Sequence, residues 1–282
     1  MRSSTCMKLS IITINYNNCE GLRKTIESVV NQTWRDFEYI IIDGGSTDGS
    51  VDVIKEYANR IDYWVSEPDR GIYHAMNKGI DVAKGEYCIF MNSGDSFINN
   101  GILEDVIKDV NSVDIISSQM KYTDGRVMTP PAQISMKFLY TSTLPHQATF
   151  IRTNVLKQIR YDESFRIVSD WKFWIEALIV YNHTYKSVNV PVTLFDAEGI
   201  SLTNKSLDAI EREEVLNSFF PLKIIEDYER FEYGSTNEEI LYIAVQKSKF
   251  RRFIYTLIVS FFKLASIHKK NHWVKRLPLF LK

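Results

Sequence analysis

A chain of 282 residues is long enough for one large domain, or for a domain with an appendage. Its 45% hydrophobic and 24% charged residues are typical of a folded globular protein and exclude a disordered or fibrous chain. The net charge of -1 hides an asymmetry, because the chain up to Glu239 holds 24 cations and 35 anions, whereas ten cations and no anion follow it.

We expect no secretory signal at the beginning of the chain. Residues 1–6 form a short, polar segment, whereas a signal peptide contains an apolar stretch. The chain has three cysteines, Cys6, Cys19 and Cys88. Their spacing is not that of a metal site, and three is not an even number that could pair completely in disulfides. We therefore expect reduced thiols in a cytoplasmic protein.

Strands alternate with helices over residues 8–110. Short apolar runs predict the strands, and apolar residues at helical spacing predict the helices. This alternation predicts βαβ units and a parallel sheet. The predicted strands are 8–15, 37–42, 63–66 and 87–91, and the predicted helices are 20–31, 46–57, 71–83 and 101–110.

The pattern changes after residue 110. Strands are predicted at 114–121 and 126–128, on either side of an Asp-Gly turn at 124–125. An amphipathic helix is predicted at 170–181, a strand broken by Pro191 at 188–195, and a helical segment at 206–233. The sequence shows no internal repeat.

Two predicted strands end abruptly in small and acidic residues, in IIIDGGSTDG (40–49) and IFMNSGD (89–95). In an open parallel sheet, ligands bind at the carboxyl ends of the strands, so the two loops predict a nucleotide site and a metal site. Each loop also has a structural interpretation that requires no ligand. Ser46 and Asp48 suit helix caps, and Asn92 suits an Asx-turn. The absence of G-x-G-x-x-G argues against a dinucleotide-binding fold.

Five blocks in order resemble the family 2 glycosyltransferases of the GT-A fold. The blocks are SIITINYN (10–17), SVVNQT (28–33), IDGGSTDG (42–49), GIYHAMNKG (71–79) and NSGD (92–95). The resemblance is strong over 8–98, weaker to about residue 200 and absent beyond. It implies an α/β, GT-A-type domain (8–205) with a mostly parallel sheet and flanking helices. Residues 8–110 would form its nucleotide-sugar-binding half and 111–205 its acceptor half, followed by a helical, basic C-terminal extension (206–282).

The resemblance implies a nucleoside diphosphate sugar, first of all a UDP-sugar, as the donor. By similarity, Asn15 and Tyr16 line the nucleoside pocket and Asp43 contacts the base. The other residues expected at the donor are Glu67, Arg70, Asn77, Lys78, Asn92 and Ser93.

The block at 92–95 takes the place of the family's D-x-D motif, which binds a divalent metal, Mg²⁺ or Mn²⁺. Such ions prefer oxygen ligands. This chain departs from the motif, because Asn92 stands for the first Asp and Gly94 precedes Asp95. With Asp95 as the single carboxylate, we expect weaker metal binding, or another residue such as His146 completing the metal shell.

His146 and Gln147 precede an apolar run at 148–151 and resemble residues of polysaccharide-forming members of the family, which makes both candidates for the acceptor site. A histidine at the edge of a core is also commonly structural. Asp170 matches the acidic residue that the family uses as general base, although it also suits a helix cap. Trp171 is either part of an acceptor wall or core.

The basic tail contains an apolar run of ten residues at 253–262, which is too short to span a membrane. Basic residues mixed with bulky apolar ones predict a helix on an anionic membrane surface. A helix docked on the body is the alternative. Nucleic acid is disfavoured, because the rest of the chain is acidic. The predicted location is cytoplasmic, peripheral on the inner face of the cell membrane.

Together these features predict an inverting glycosyltransferase of bacterial cell-surface polysaccharide synthesis. It would move a sugar to a glycan or lipid-linked acceptor by single displacement, with Asp170 as base. Two alternatives stay open. A sugar nucleotidyltransferase would need a Gly-rich, basic triphosphate loop, which the chain lacks near its start. The weakened metal motif and basic tail would also suit an inactive, membrane-associated partner in a glycan assembly complex.

Overall fold

The computed structural model describes residues 8–108, 110, 113–195 and 204–233, together with residues 249, 253, 254, 256, 257 and 260. The chain divides into two compact units, residues 1–218 and 219–282. The sequence places the start of the C-terminal extension at residue 206. The structure instead assigns the chain up to Ser218, and so most of the helix that begins at Lys205, to the first unit.

In the described part of the first unit, nine strands form one sheet. They are β1 (Leu9–Asn15), β2 (Phe37–Asp43), β3 (Tyr63–Ser66), β4 (Tyr87–Phe90), β5 (Ser96–Phe97), β6 (Ile115–Tyr122), β7 (Val127–Met128), β8 (Thr149–Arg152) and β9 (Tyr185–Phe195). Their order across the sheet is β3-β2-β1-β4-β8-β6-β9-β5, and β7 pairs with β6.

The sheet is parallel from β3 to β4 and mixed beyond β4. β8 runs antiparallel to both of its neighbours, β4 and β6, whereas β6 and β9 are parallel. The sheet is therefore less uniformly parallel than the repeating sequence pattern predicts. An antiparallel β8 begins where β4 ends, so the residues just before β8 lie at the carboxyl edge of the parallel strands.

The first eight helices lie between and after the strands and are numbered in chain order. They are α1 (Cys19–Val30), α2 (Ser50–Glu56), α3 (Ile72–Val82), α4 (Ile102–Val106), α5 (Met136–Thr141), α6 (Thr153–Ile159), α7 (Ser169–Ile175) and α8 (Lys205–Phe219). A π-helical turn, Glu176–Val180, continues α7. Short 3₁₀ turns lie at Ala58–Arg60 and His146–Ala148.

Every residue of β1 is buried, because helices pack on both of its faces. Ile11 belongs to the core cluster that contains Leu22 and Ile26 of α1. On the other face, a Cβ atom added to Gly79 of α3 would lie 2.5 Å from Cγ2 of Ile12. Glycine at this position therefore lets α3 approach the sheet closely, which brings its neighbours, residues 77 and 78, to the sheet.

The predicted strands and helices of residues 8–91 are all present, within a few residues at their ends. Differences concentrate in short elements. The sequence does not predict α5, α6 or β5, and the helix predicted at 101–110 is longer than α4 (Ile102–Val106). Elements of two to seven residues offer too few positions to establish a period, so tertiary packing decides them.

The single helical segment predicted for 206–233 is two helices in the structure. The first ends before Pro221, and α9 (Leu222–Tyr233), in the second unit, begins after it. Within the described ranges, every helix is too short or too polar to cross a bilayer. Most of the basic tail lies outside the described residues. Its association with an anionic membrane surface stays a prediction.

Candidate active site

Three neighbouring parallel strands deliver polar side chains to one edge of the sheet. Asn15 ends β1 and lies in register with Asp43, which ends β2. The loop that contains Asn92 follows β4, and the N–H of Ser93 bonds to the carbonyl oxygen of Ile14. The two acidic loops that the sequence places at strand ends therefore meet, as expected for a parallel sheet.

The carboxylate of Asp43 is completely buried and fully hydrogen-bonded. Oδ1 accepts from Nδ2 of Asn15 (2.7 Å) and Oγ of Ser46 (2.6 Å). Oδ2 accepts from the Ser46 N–H (2.9 Å) and Oγ of Ser66 (2.6 Å). Burial alone would raise the pKa of Asp43, but these bonds lower it below its ordinary value. In this conformation Asp43 organises the loop, and contact with a base would require it to exchange a partner.

Tyr16 is the accessible aromatic residue of this edge, with 67% of its surface exposed. A Cβ atom added to Gly44 would lie 3.1 Å from Cδ2 of Tyr16 and 3.2 Å from Oδ2 of Asp69, so glycine leaves the ring room beside the backbone. Oδ1 of Asn15 is buried nearby without a hydrogen-bond partner among the described residues. An exposed ring and an unpaired acceptor are groups that a nucleoside could engage.

Charged side chains cluster where β3 leads into α3. Nζ of Lys78 lies 2.5 Å from Oδ1 of Asp69 and 2.8 Å from Oε1 of Glu67. Nδ1 of His74 lies 3.1 Å from the same Asp69 oxygen. Burial would lower the pKa of Lys78, but the two carboxylates raise it, so the ammonium stays charged. Lys78 and Glu67, both expected at the donor, thus form one ion-pair network centred on Asp69.

Asn77 and Arg70 connect α3 to the loop at 161–163. The side chain of Asn77 donates to the carbonyl oxygen of Tyr161 (2.8 Å) and accepts from its N–H (3.1 Å). Nη2 of Arg70 lies 2.5 Å from Oε2 of Glu163, whose other oxygen accepts from Asn77. Asn77 is buried and committed to this loop. It is therefore a scaffold residue here rather than an open donor contact.

The loop at 92–95 is held firmly by Thr25 of α1. Oγ1 of Thr25 donates to the carbonyl oxygen of Asp95 (2.6 Å) and accepts from the N–H of Gly94 (3.0 Å). Gly94 has φ +106°, in the region that favours glycine. The carbonyl oxygen of Ser93 accepts from Nδ2 of Asn18 (3.1 Å). The departure from D-x-D at Gly94 thus coincides with a turn that requires glycine.

A hydrogen-bonded chain joins this loop to Asp170. Nδ1 of His146 lies 3.1 Å from Oδ2 of Asp170, and Nε2 lies 3.3 Å from Nδ2 of Asn92. An ionised carboxylate only accepts, so Nδ1 of His146 carries a proton and donates it in the hydrogen bond to Asp170. His146, Asn92 and Asp170 come from three different connections and meet at the carboxyl edge of the sheet.

Asp170 lies in the first turn of α7. Oδ1 accepts from the N–H of Trp171 (2.9 Å) and lies 3.2 Å from the hydroxyl of Tyr73. Burial would raise the pKa of Asp170, but the bond and charge interaction with His146, aided by Trp171 and Tyr73, lower it. The side chain keeps 17% of its surface exposed. Asp170 is therefore an anion that a substrate can reach.

The side-chain oxygens of Asn92 and Asp95 are the atoms expected to hold a divalent cation. Among the described residues, no three His, Cys, Asp or Glu side chains gather as a metal cage. Oδ1 of Asn92, however, is buried without a hydrogen-bond partner in the described structure, and Asp95 lies three residues further on. Mg²⁺ and Mn²⁺ commonly take one or two protein oxygens and complete their shell with phosphates and water. His146 faces Asn92 and Asp170, so the structure gives it partners other than a metal.

Two acceptor candidates, Trp171 and Gln147, are both buried. Trp171 is 1% exposed, and its Nε1 donates to the carbonyl oxygen of Leu139 (2.7 Å). The ring is core, so the acceptor-wall interpretation of Trp171 fails in this conformation. Gln147 is buried beside His146, in the 3₁₀ turn before β8.

Sequence reasoning missed two residues of this site. Tyr73 lies in one of the five blocks, so it had a local signal. Glu211 accepts backbone hydrogen bonds just before Asp170. No motif surrounds Glu211, and only the folded structure reveals it.

Comparison with known proteins assigns the family. The model of "Glycosyl transferase family 2" matches residues 10–168. An uncharacterized glycosyltransferase of Mycobacterium tuberculosis (strain H37Rv) is 32% identical over an alignment of 201 residues, which covers 68% of this chain and 76% of the relative. A PGL/p-HBAD biosynthesis glycosyltransferase of Mycobacterium bovis (strain BCG) is 29% identical over an alignment of 171 residues, which covers 58% of this chain and 67% of the relative.

Solved structures show the same fold. S. aureus TarS 1-349 in complex with UDP-GlcNAc aligns with a TM-score of 0.62 at 20% identity, over 87% of this chain and 77% of that one. The mannosyltransferase PcManGT from Pyrobaculum calidifontis, in complex with GDP-Man and Mn²⁺, aligns with a TM-score of 0.60 at 14% identity, over 94% and 82%. Against a longer TarS chain, this chain spans 44% of the length. The chain belongs to glycosyltransferase family 2, has the GT-A fold and is a glycosyltransferase.

Proposed function

We propose that this family 2 glycosyltransferase moves a sugar from a UDP-sugar to a hydroxyl group of a glycan or lipid-linked acceptor, with inversion at the anomeric carbon. The acceptor oxygen attacks that carbon as its bond to the diphosphate breaks. The hydroxyl proton passes to a carboxylate oxygen of Asp170. Such a general base contributes roughly 10²- to 10⁴-fold to the rate.

The single observation that carries the proposal is the hydrogen-bonded chain from Asn92 through His146 to Asp170. These hydrogen bonds link the carboxylate of Asp170 to the loop at 92–95, which takes the place of the family's D-x-D motif. Asp170 has a lowered pKa, so it is ionised at neutral pH, and His146 fixes the orientation of the carboxylate. A base that is ionised, oriented and partly accessible suits proton removal during attack.

Two groups of residues serve the donor in this proposal. Tyr16 stacks on the nucleobase, while Asp43 and Asn15 hold the surrounding loop in shape. Lys78 is the cation of the donor side, balanced by Glu67 and Asp69 when no ligand is bound. The choice of a UDP-sugar draws support from the TarS complex with UDP-GlcNAc.

Asn92 and Asp95 would hold a divalent cation, Mg²⁺ or Mn²⁺, together with the donor diphosphate. That cation would neutralise charge on the leaving nucleoside diphosphate. The unpaired Oδ1 of Asn92 supports this assignment, as does the Mn²⁺ in the PcManGT complex.

Thermal unfolding with UDP, GDP, dTDP and CMP, each with and without Mn²⁺, tests the donor. A nucleotide at 100 times its dissociation constant stabilises the protein by about 2.7 kcal/mol. We expect UDP to raise the melting temperature and Mn²⁺ to increase that rise. A response to GDP alone would replace the proposed donor, and no response to any nucleotide would contradict nucleotide-sugar binding.

A further inference from the structure

The backbone that leads into Asp170 is bound by a carboxylate from a distant helix. Glu211 of α8 accepts from three consecutive N–H groups, those of Arg166 (2.9 Å), Ile167 (2.9 Å) and Val168 (3.2 Å). Glu211 is buried, as are Ile167 and Val168. Buried backbone N–H groups require an acceptor, and no other acceptor for these three is found among the described residues.

The backbone of Ile167 is engaged through both of its polar groups. Glu211 binds its N–H, and the hydroxyl of Tyr73 donates to its carbonyl oxygen. The same hydroxyl lies 3.2 Å from Oδ1 of Asp170. The position of the Asp170 carboxylate therefore depends on α8 from one direction and on α3 from the other.

Arg212, the next residue of α8, fixes the other neighbour of Asp170. Its guanidinium carbon lies 4.3 Å from the centre of the Trp171 ring, and its Nε lies 3.0 Å from Oδ2 of Asp208. A guanidinium cation at this distance over an indole is attracted to the face of the ring. Consecutive residues of one helix thus hold the chain on both sides of Asp170.

We propose that Glu211 is a positioning residue for the catalytic base and that Arg212 supports it. The proposal rests on the assignment of Asp170 as base in the proposed function. Glu211 acts through the 166–168 backbone and contacts neither donor nor acceptor. It lies beyond the segment 10–168 that the family model matches, so α8 completes the site from outside that segment.

Glu211→Gln keeps the size of the side chain and replaces one acceptor oxygen with an NH₂ group that cannot accept. Glu214→Gln is the matched control, because Glu214 lies on the exposed face of the same helix. The readouts are UDP release from UDP-GlcNAc, UDP affinity, and amide exchange of the peptide that contains residues 166–168. We expect Glu211→Gln to lower kcat about 10- to 100-fold, as displacement of a base by about 1 Å does. KM and UDP affinity should stay within about twofold of wild type.

Amide exchange at 166–168 should be faster in Glu211→Gln and unchanged in Glu214→Gln. Glu211→Asp keeps the charge, and it should recover part of kcat. If Glu211→Gln does not fold, the Glu211→Asp variant carries the same comparison. A kcat equal to that of Glu214→Gln would overturn the proposal, as would equal losses of kcat and UDP affinity, which indicate general loosening.

Asp170→Asn, measured in parallel, separates this inference from the proposed function. If Asp170→Asn is inactive while Glu211→Gln is fully active, the positioning role fails and the base assignment stands. If Asp170→Asn keeps full activity, the base assignment fails. If wild type releases no UDP from UDP-GlcNAc, UDP-GlcNAc is not the donor. Unchanged amide exchange at 166–168 in Glu211→Gln would by itself overturn the positioning role of Glu211.

Discussion

Nδ1 of His146 lies 3.1 Å from Oδ2 of Asp170, although 24 residues separate them in the chain. The contact forms because β8 runs antiparallel to β4, which puts the residues before β8 at the carboxyl edge of the parallel strands. It keeps Asp170 ionised and oriented, and the expected effects of replacing Asp170 or His146 depend on it.

Replacement of Asp170 with Asn should lower sugar transfer by about 10²- to 10⁴-fold, because the amide cannot take the acceptor proton. UDP affinity should stay at the wild-type value, since Asp170 lies on the acceptor side of the proposed site. Transfer rate and UDP binding measure the two effects separately. Asp124→Asn, in an exposed hairpin turn, serves as the control. Full activity of Asp170→Asn would show that another group is the base.

Replacement of His146 with Ala should move the acid limb of the kcat–pH profile to higher pH. Burial raises the pKa of Asp170 and His146 lowers it, so removal of the imidazole leaves burial less opposed. The base then protonates at a higher pH, and activity is lost earlier as the pH falls. The same change at His183, which faces Asp114 instead, should leave the limb in place. An unmoved limb in His146→Ala would contradict this role.

Replacement of Asn92 with Asp restores the first carboxylate of the metal motif. It should lower the Mn²⁺ concentration needed for half-maximal UDP binding by about tenfold, because a second carboxylate binds a hard cation more strongly. Asp95→Asn should raise that concentration. Calorimetric titration of UDP binding at several Mn²⁺ concentrations measures both. Identical Mn²⁺ dependence in all three proteins would place the metal elsewhere.

Replacement of Tyr16 with Ala should weaken UDP binding by about 1–3 kcal/mol, the usual contribution of an aromatic ring stacked on a base. The melting temperature without ligand should change little, because most of the ring is exposed. Tyr63→Ala is the control, since Tyr63 is exposed at the amino end of β3. Equal UDP affinity in both variants would rule out stacking on Tyr16.

Replacement of Asp43 with Asn should destabilise the fold by about 3 kcal/mol at neutral pH, because the amide cannot accept all four hydrogen bonds. The folded state lowers the pKa of Asp43, so its carboxylate stabilises the fold above the ordinary carboxyl pKa, about 3.9, and this stabilisation is lost as the pH falls through the lowered value. The difference between variant and wild type should therefore shrink below about pH 4.

Urea unfolding across this pH range measures the difference. Asp52→Asn, with an exposed side chain on α2, provides the comparison and should show little effect at any pH. A difference for Asp43→Asn that does not change with pH would mean that the carboxylate charge is not what stabilises the loop.

The sequence by itself determined the local parts of this protein. Apolar runs and helical spacing predicted β1, β2, α1 and α3, because a parallel strand or an amphipathic helix must be apolar where it meets the core. The abrupt change to small and acidic residues at Asp43 and Asn92 predicted a site at the strand ends, and the structure brings these two loops together. The resemblance to family 2 glycosyltransferases, carried by five local blocks, is confirmed.

Tertiary structure decided which side chains face a ligand and which face each other. Asp43, Asn77 and Trp171 have the residue types of binding groups, yet the fold buries each among protein partners. The contacts of His146 with Asp170 and Asn92, and of Glu211 with the 166–168 backbone, join residues far apart in sequence. A local pattern records the neighbours of a residue along the chain. Burial and hydrogen-bond partners depend on strand order and helix packing, which only the complete fold fixes.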